Sequence, residues 1–276
     1  MLSPPRLDEV NLDPDWTHQR PYPPLGFRPF SDCELGNGDT FGLYWPIGLE
    51  DKEPIVAETW HDSWGLQPTF SCLASFLAAR DNAEDDYPEA PSLAADGNSP
   101  RALVDAAKEA IRTQSTEVAV LHLEKATAIL PEYTDALSLL WAQYAKQGRT
   151  EEAIATALRA IIAPPSFGMR ATKALRWLKG QPDLPGQDDP IWQARAKLTL
   201  SYGGVKTNDD YAIYRHAIQA YIDKSQYTSA STLMQTYAEL MYSETASFQE
   251  RYGFERDSFI AWQIEVSREH SNGPRA

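Results

Sequence analysis

A 34-residue spacing separates two proline-terminated helical runs, EKATAILP closing at Pro131 and LRAIIAPP closing at Pro165. That period belongs to a helix-turn-helix unit that cannot bury its apolar face alone and must stack on copies of itself. Aligned on the two prolines, the unit 100–133 places Ala102, Leu103, Ala106, Ala107, Ala119, Leu123 and Ala126 at its packing positions. The unit 134–167 answers with Ala136, Leu137, Leu140, Trp141, Ala153, Ala157 and Ala160. Small residues recur at fixed offsets because the two helices of a unit approach closely.

With Tyr144 and Gly148 where an aromatic and a turn are wanted, these two units resemble the tetratricopeptide repeat. A third, degenerate unit starting at Tyr211 is expected to place Ile213, Tyr214, Ala217, Ile218 and Tyr221 on its first helix and Tyr227, Ala230, Met234 and Tyr237 on its second. Two off-register helices, in GMRATKALRWLKG and IWQARAKLTLSYG, are expected between units two and three, and a capping helix over 258–270. The resemblance implies a stack of about ten helices with an inner groove.

The period changes upstream. Seven prolines between Pro4 and Pro29 forbid long helices in residues 1–35, which read as an extended arm. From residue 36 the text is strand, turn, strand: Phe41, Leu43 and Trp45 share one face of a period-2 strand, and Ile55 to Trp60 pairs back. PTFSCLASFLAAR, with Phe70, Leu73, Phe76 and Leu77 at helical spacing, reads as a helix on that sheet. Residues 81–99 are acidic and rich in turn formers, which predicts a linker before the helical domain of residues 100–276. The expected class is α+β, a small sheet-plus-helix domain joined to an all-α repeat domain.

Charge is divided as unevenly as structure. Residues 1–100 carry 18 acidic side chains against 5 basic ones, a net of −13, whereas residues 101–276 are nearly neutral at −1. Such a field disfavours direct nucleic-acid binding and favours a basic protein partner. The apolar runs are too short for a bilayer-spanning helix and the start has no leader-like pattern, so no membrane contact and a cytoplasmic location are expected. Cys33 and Cys72 form no CxxC pair, and whether they bridge is open.

No enzyme is expected and no cofactor is called for. The five histidines are scattered without an HExxH or His/Cys ligand pair, and GxSxG is absent. His61 and Asp62 near Asp39 read as a polar turn, and GNGDTFG as a hairpin turn without GxGxxG spacing. The partner-binding candidates are Glu50, Asp51, Glu53, Trp60, Asp62 and Trp64, aromatic anchors among carboxylates. A second set, Arg170, Lys173, Arg176 and Lys179, recurs every three residues as a basic stripe, which is otherwise a solvated helix face.

GNGD (36–39), GLYWPIG (42–48), EPIV (53–56), WHD (60–62) and SFL (75–77) resemble the SUKH superfamily. That family is typified by bacterial immunity proteins that neutralise nuclease toxins and by fungal cell-wall regulators. The family places helices before the GNGD turn where this chain has proline-rich text, so a remodelled domain is implied. The resemblance implies an immunity protein that binds a cognate, basic toxin; the alternative is a helical-repeat adaptor for peptide segments of other proteins. The repeat lacks the pattern of a carboxylate clamp, with Val104 and Lys108 at the positions concerned.

Overall fold

The structure, a computed structural model, describes residues 22–34, 39–60, 62, 65–83, 88–203 and 210–269, with side chains at 32–34 left aside. Four strands, β1 (Phe27–Glu34), β2 (Thr40–Tyr44), β3 (Ile55–Trp60) and β4 (Gly65–Phe70), form an antiparallel meander in sequence order. Helix α1 (Leu73–Arg80) follows. β1 falls inside the expected arm, and β4 runs into the first three residues of the expected helix. Pro29 and Pro68 explain both differences: each lies on an outermost strand, where a residue without an N–H is tolerated. At the β1–β2 crossing Gly42 pairs with Pro29, and a Cβ at Gly42 would come close against the Arg28 carbonyl oxygen. Only glycine permits that approach.

Strand alternation gives the sheet two apolar faces. Phe30, Phe41, Leu43, Trp45, Val56 and Phe70 pack with Leu73 and Phe76 of α1, so the expected face over 41, 43 and 45 forms. The opposite face, with Phe27, Tyr44, Ile55, Ala57 and Leu66, shares a core with the helical region. The sheet is thus covered on both sides. The described part of the expected linker is correspondingly packed: Asp96 accepts a hydrogen bond from the Ser71 N–H at 2.8 Å, and the buried Ser99 hydroxyl donates to the Thr69 carbonyl at 2.6 Å. Ser99 also caps the next helix by accepting from the Ala102 N–H.

That helix, α2 (Pro100–Arg112), pairs with α3 (Thr116–Ile129); α4 (Thr134–Lys146) pairs with α5 (Thr150–Ile162). Both first helices and both second helices start at the same 34-residue spacing as the prolines. Side-chain contacts repeat at that period too: Lys125 donates to the Gly97 carbonyl at 2.8 Å, and Arg159, one unit on, donates to the Pro131 carbonyl at 2.9 Å.

A short 3₁₀ turn over Pro165–Phe167 leads to α6 (Thr172–Lys179) and α7 (Pro190–Ala194). α8 (Asp210–Asp223) and α9 (Tyr227–Tyr242) then form a third hairpin. Measured from Tyr211, α9 begins at the offset at which α3 and α5 begin. Gln114, Gly148 and Ser225, the same position of the three units, all have left-handed φ, at 60°, 73° and 56°. The segment after α7 is not helical, which shortens the second off-register helix to Pro190–Ala194. Its chain reverses through Leu198 and Leu200, pinned by the buried Asp210 carboxylate, which accepts from the Thr199 and Leu200 N–H groups. α10 (Ala246–Arg251) and α11 (Arg256–Glu269) complete the fold, the latter as the expected cap.

The sheet docks on the edge of the helical array where the units join. Glu132, in the turn before α4, accepts from the Tyr44 hydroxyl at 2.5 Å and the Ile47 N–H at 2.8 Å, and Tyr44 packs on Phe167. Farther along, the Leu25 N–H reaches Gln235 of α9.

Candidate functional site

The acidic and aromatic candidates do not form one patch. Asp51 and Glu53 are exposed in the turn before β3, with Asp51 3.1 Å from Lys52, whereas Trp60 and Asp62 follow along and beyond β3. Six strand residues at about 3.3 Å each hold the two groups roughly 20 Å apart. Glu50 corrects the expectation of an exposed rim: it is 7% exposed and accepts from the Gly48 N–H at 3.0 Å. Trp60 is 37% exposed and has the Arg101 guanidinium 6.0 Å from its ring centre, a cation–π arrangement. His61, Trp64, the Gly36–Gly38 turn and the Cys33 side chain lie outside the described residues.

The basic stripe divides as well. Lys173, Arg176 and Lys179 are exposed on α6, whose other face buries Ala174, Leu175 and Leu178. Arg170 precedes the helix and lies over the Tyr202 ring at 4.9 Å. It therefore belongs to a different surface.

That surface is a cavity of about 150 Å³ between the 3₁₀ turn, the C-terminal half of α9 and the turn at Tyr22. Ser166, Arg170, Tyr202, Glu239 and Glu244 line it with Tyr22. Glu239 is 5% exposed and accepts three hydrogen bonds, from the Ser166 N–H at 3.0 Å, the Ser166 hydroxyl at 3.0 Å and the Gln235 amide at 2.9 Å. Burial pushes its pKa up to about 7, with those three donors pulling the other way. Nearby, Glu244 accepts from the Gly203 N–H and from the Tyr211 hydroxyl at 2.7 Å. Burial raises the Tyr211 phenol, so it remains a donor at neutral pH.

A larger groove, about 590 Å³, runs between α7 and α8. Pro190, Ala194, Ala212, Ile213 and Ala220 provide an apolar floor. On its rim, Lys224 is paired with Asp188 at 2.7 Å, while Lys197 makes no ion pair among the described residues. Within those residues no group of three or more His, Cys, Asp or Glu side chains is arranged to hold a metal ion, and no helix is long and apolar enough to cross a membrane.

Neither opening stands out in the sequence. Thr232, Gln235, Thr236 and Glu239 recur at helical spacing on α9, a polar stripe that reads as the wet side of an amphipathic helix. It is buried against the 3₁₀ turn and the Tyr22–Gly26 segment, which only long-range packing reveals. Sequence spacing does place Arg170, but as part of a stripe.

The fold defines an α+β chain in which an antiparallel meander is welded to an array of helical hairpins. Its family follows from the comparisons. Residues 12–89 match the YfbP N-terminal domain and residues 201–272 the YfbP C-terminal domain. Over 260 residues the chain is 36% identical to "Uncharacterized protein YfbP" of Escherichia coli (strain K12), an alignment covering 93% of this chain and 92% of that one. The chain belongs to the YfbP family. Tyr22 falls within the first matched domain, Tyr202, Glu239 and Glu244 within the second, and Ser166 and Arg170 between them.

Proposed function

We propose that this chain is a non-catalytic protein-binding module, an adaptor that holds a short peptide segment of a partner in the groove between α7 and α8. The groove carries this reading: a concave, mostly apolar trough of a size usual for binding sites, with Lys197 at its rim in no ion pair among the described residues. The ligand it suits is an extended segment with small apolar side chains and an acidic residue facing Lys197. A tetratricopeptide-like nature of the hairpins is part of the proposal and rests on their common 34-residue register. No reaction is assigned.

Selection of a random displayed peptide library on the full chain tests it. Enriched peptides should pair an acidic residue with apolar ones, and Ala212→Glu or Lys197→Glu should weaken them about tenfold or more while leaving the unfolding midpoint in place. Peptides that bind both variants as well as the parent would place the interface elsewhere.

A second reading keeps the immunity role, with the sheet and α1 as a SUKH-like element gripping a basic toxin. The exposure of Asp51, Glu53, Asp62 and part of Trp60 favours it. The two charge groups at opposite ends of β3 would then touch separate parts of the partner. Neutralising Asp51 and Glu53 should slow association with a basic protein encoded beside this gene, and Trp60→Ala should speed its release.

A further inference from the structure

We propose that the cavity lined by Ser166, Arg170, Tyr202, Glu239 and Glu244 is a binding site for a small zwitterion of the free α-amino-acid class. The site is separate from the peptide groove, so the failure of either proposal leaves the other standing.

The starting point is Glu239. Its carboxylate is buried on a cavity wall, accepts only from neutral donors and has no cation within ion-pair reach among the described residues. A carboxylate offers about four acceptor sites, and the Ser166 and Gln235 donors leave one open. An isolated buried charge is costly, and an ammonium group would supply both the missing donor and the missing counter-charge. Glu244 and the C-terminal end of α9, where helix carbonyls concentrate negative potential, line the same cavity.

The opposite sign lines the same cavity. Arg170 is exposed, is steadied by the Tyr202 ring and forms no ion pair among the described residues. A guanidinium fork matches a carboxylate in two parallel hydrogen bonds. A plain amine would meet repulsion from Arg170, and a plain carboxylate repulsion from Glu239. A molecule carrying both groups can satisfy both side chains. The cavity volume is about 150 Å³. Such a space holds several waters and limits the ligand to a small amino acid. Because Glu239 has its pKa pushed up to about 7, the ionised form that an ammonium needs becomes the majority only above that pH. Affinity should rise between about pH 6 and 8.

Calorimetric titration of the full chain at about pH 8 decides the matter, with glycine, L-alanine and L-serine as zwitterions and with ethylamine and acetate as half-ligands. At least one amino acid should saturate a single site with a Kd on the order of 0.1–1 mM. Each half-ligand should bind at least about tenfold more weakly. Glu239→Gln, which preserves shape, should weaken the amino acid about tenfold or more. Arg170→Gln, a surface change that leaves the fold intact, should weaken the amino acid to no better than ethylamine, while ethylamine itself holds or gains as the repulsion is relieved. The proposal is overturned by the absence of any saturable binding, by ethylamine binding as tightly as the amino acids, or by affinities indifferent to Arg170→Gln. That last variant keeps the test decisive even where Glu239→Gln fails to fold.

Discussion

The front hairpins, α2 to α5, and the back hairpin, α8 with α9, obey one register and live in different surroundings. Counted from the start of each unit, Leu121, Ala155 and Thr232 occupy one position, and Lys125, Arg159 and Thr236 another. The front members of both sets lie at the surface; the back members are buried. Thr236 donates to the Ile162 carbonyl at 2.6 Å, whereas Lys125 reaches out to the Gly97 carbonyl beside solvent. The register of a repeat thus determines where helices start and turn, and not which of their faces stays wet. α9 is enclosed because α5, α11 and the sheet segment close around it, and its polar stripe survives burial because its partners are hydrogen-bonding groups rather than water.

Exchanging residues at the shared position should break this comparison most strongly. Thr236→Lys, which copies the front residue into the back, overfills a buried site and removes the hydroxyl bonded to the Ile162 carbonyl, and should cost about 3 kcal/mol or more even with Glu239 three residues on. Lys125→Thr, the reverse copy, should change stability by less than about 1 kcal/mol. Urea unfolding of the two variants measures both, and a Thr236→Lys chain of native stability would mean that the back hairpin is open.

Acidity offers a second separation. Glu239 has a folded pKa raised to about 7 from an ordinary 4.5, so the folded state binds the extra proton between those values. Its contribution is fully present below about pH 4.5 and is lost as pH rises through about 7, a decline on the order of 3 kcal/mol. The difference between the parent chain and Glu239→Gln, followed by denaturant midpoints across that window, should trace this slope. Equal pH dependence in both chains would refute it.

A third test compares the sheet's anchor with the hairpins. Tyr44→Phe removes a donor from the buried Glu132 carboxylate and should cost about 1–3 kcal/mol, read as a lower thermal midpoint. The smallest effects are expected at the hairpin turns. A Cβ at Gly148 would meet no neighbouring atom. Gly148→Ala therefore bears only the strain of its left-handed backbone, about 1 kcal/mol. Gln114→Gly and Ser225→Gly should each gain about 0.5–1 kcal/mol by relieving the same conformation. Losses at those two positions would show that the three turns are not equivalent.

Some of the candidate surface was legible before any packing was known. Asp51, Glu53, Lys173, Arg176 and Lys179 lie exposed, as polar residues on turns and amphipathic helices generally do. Glu50 was not legible, because one residue's difference along a turn decides whether a carboxylate points outward or toward a backbone N–H. Nor was the separation of Asp51 from Trp60, since closeness in sequence translates into distance once the residues between them extend as a strand. Sheet edges were hidden for the opposite reason: Pro29 and Pro68 argue against strands locally, and only the position of each strand at the margin of the sheet makes them harmless.

Settled by local chemistry alone are the period-2 and 34-residue rhythms, the starts of the two units at Pro100 and Thr134, and the apolar face over Phe41, Leu43 and Trp45. Each follows from side-chain spacing and backbone sterics within a few turns of chain, which no distant contact needs to supply. Left to the folded whole are the welding of sheet to helices, the enclosure of the α9 polar stripe, and the cavity that brings Ser166, Arg170 and Glu239 together from as far as 73 residues apart. These depend on which surfaces exclude water from one another, and burial is a property of the packed chain rather than of any segment of it.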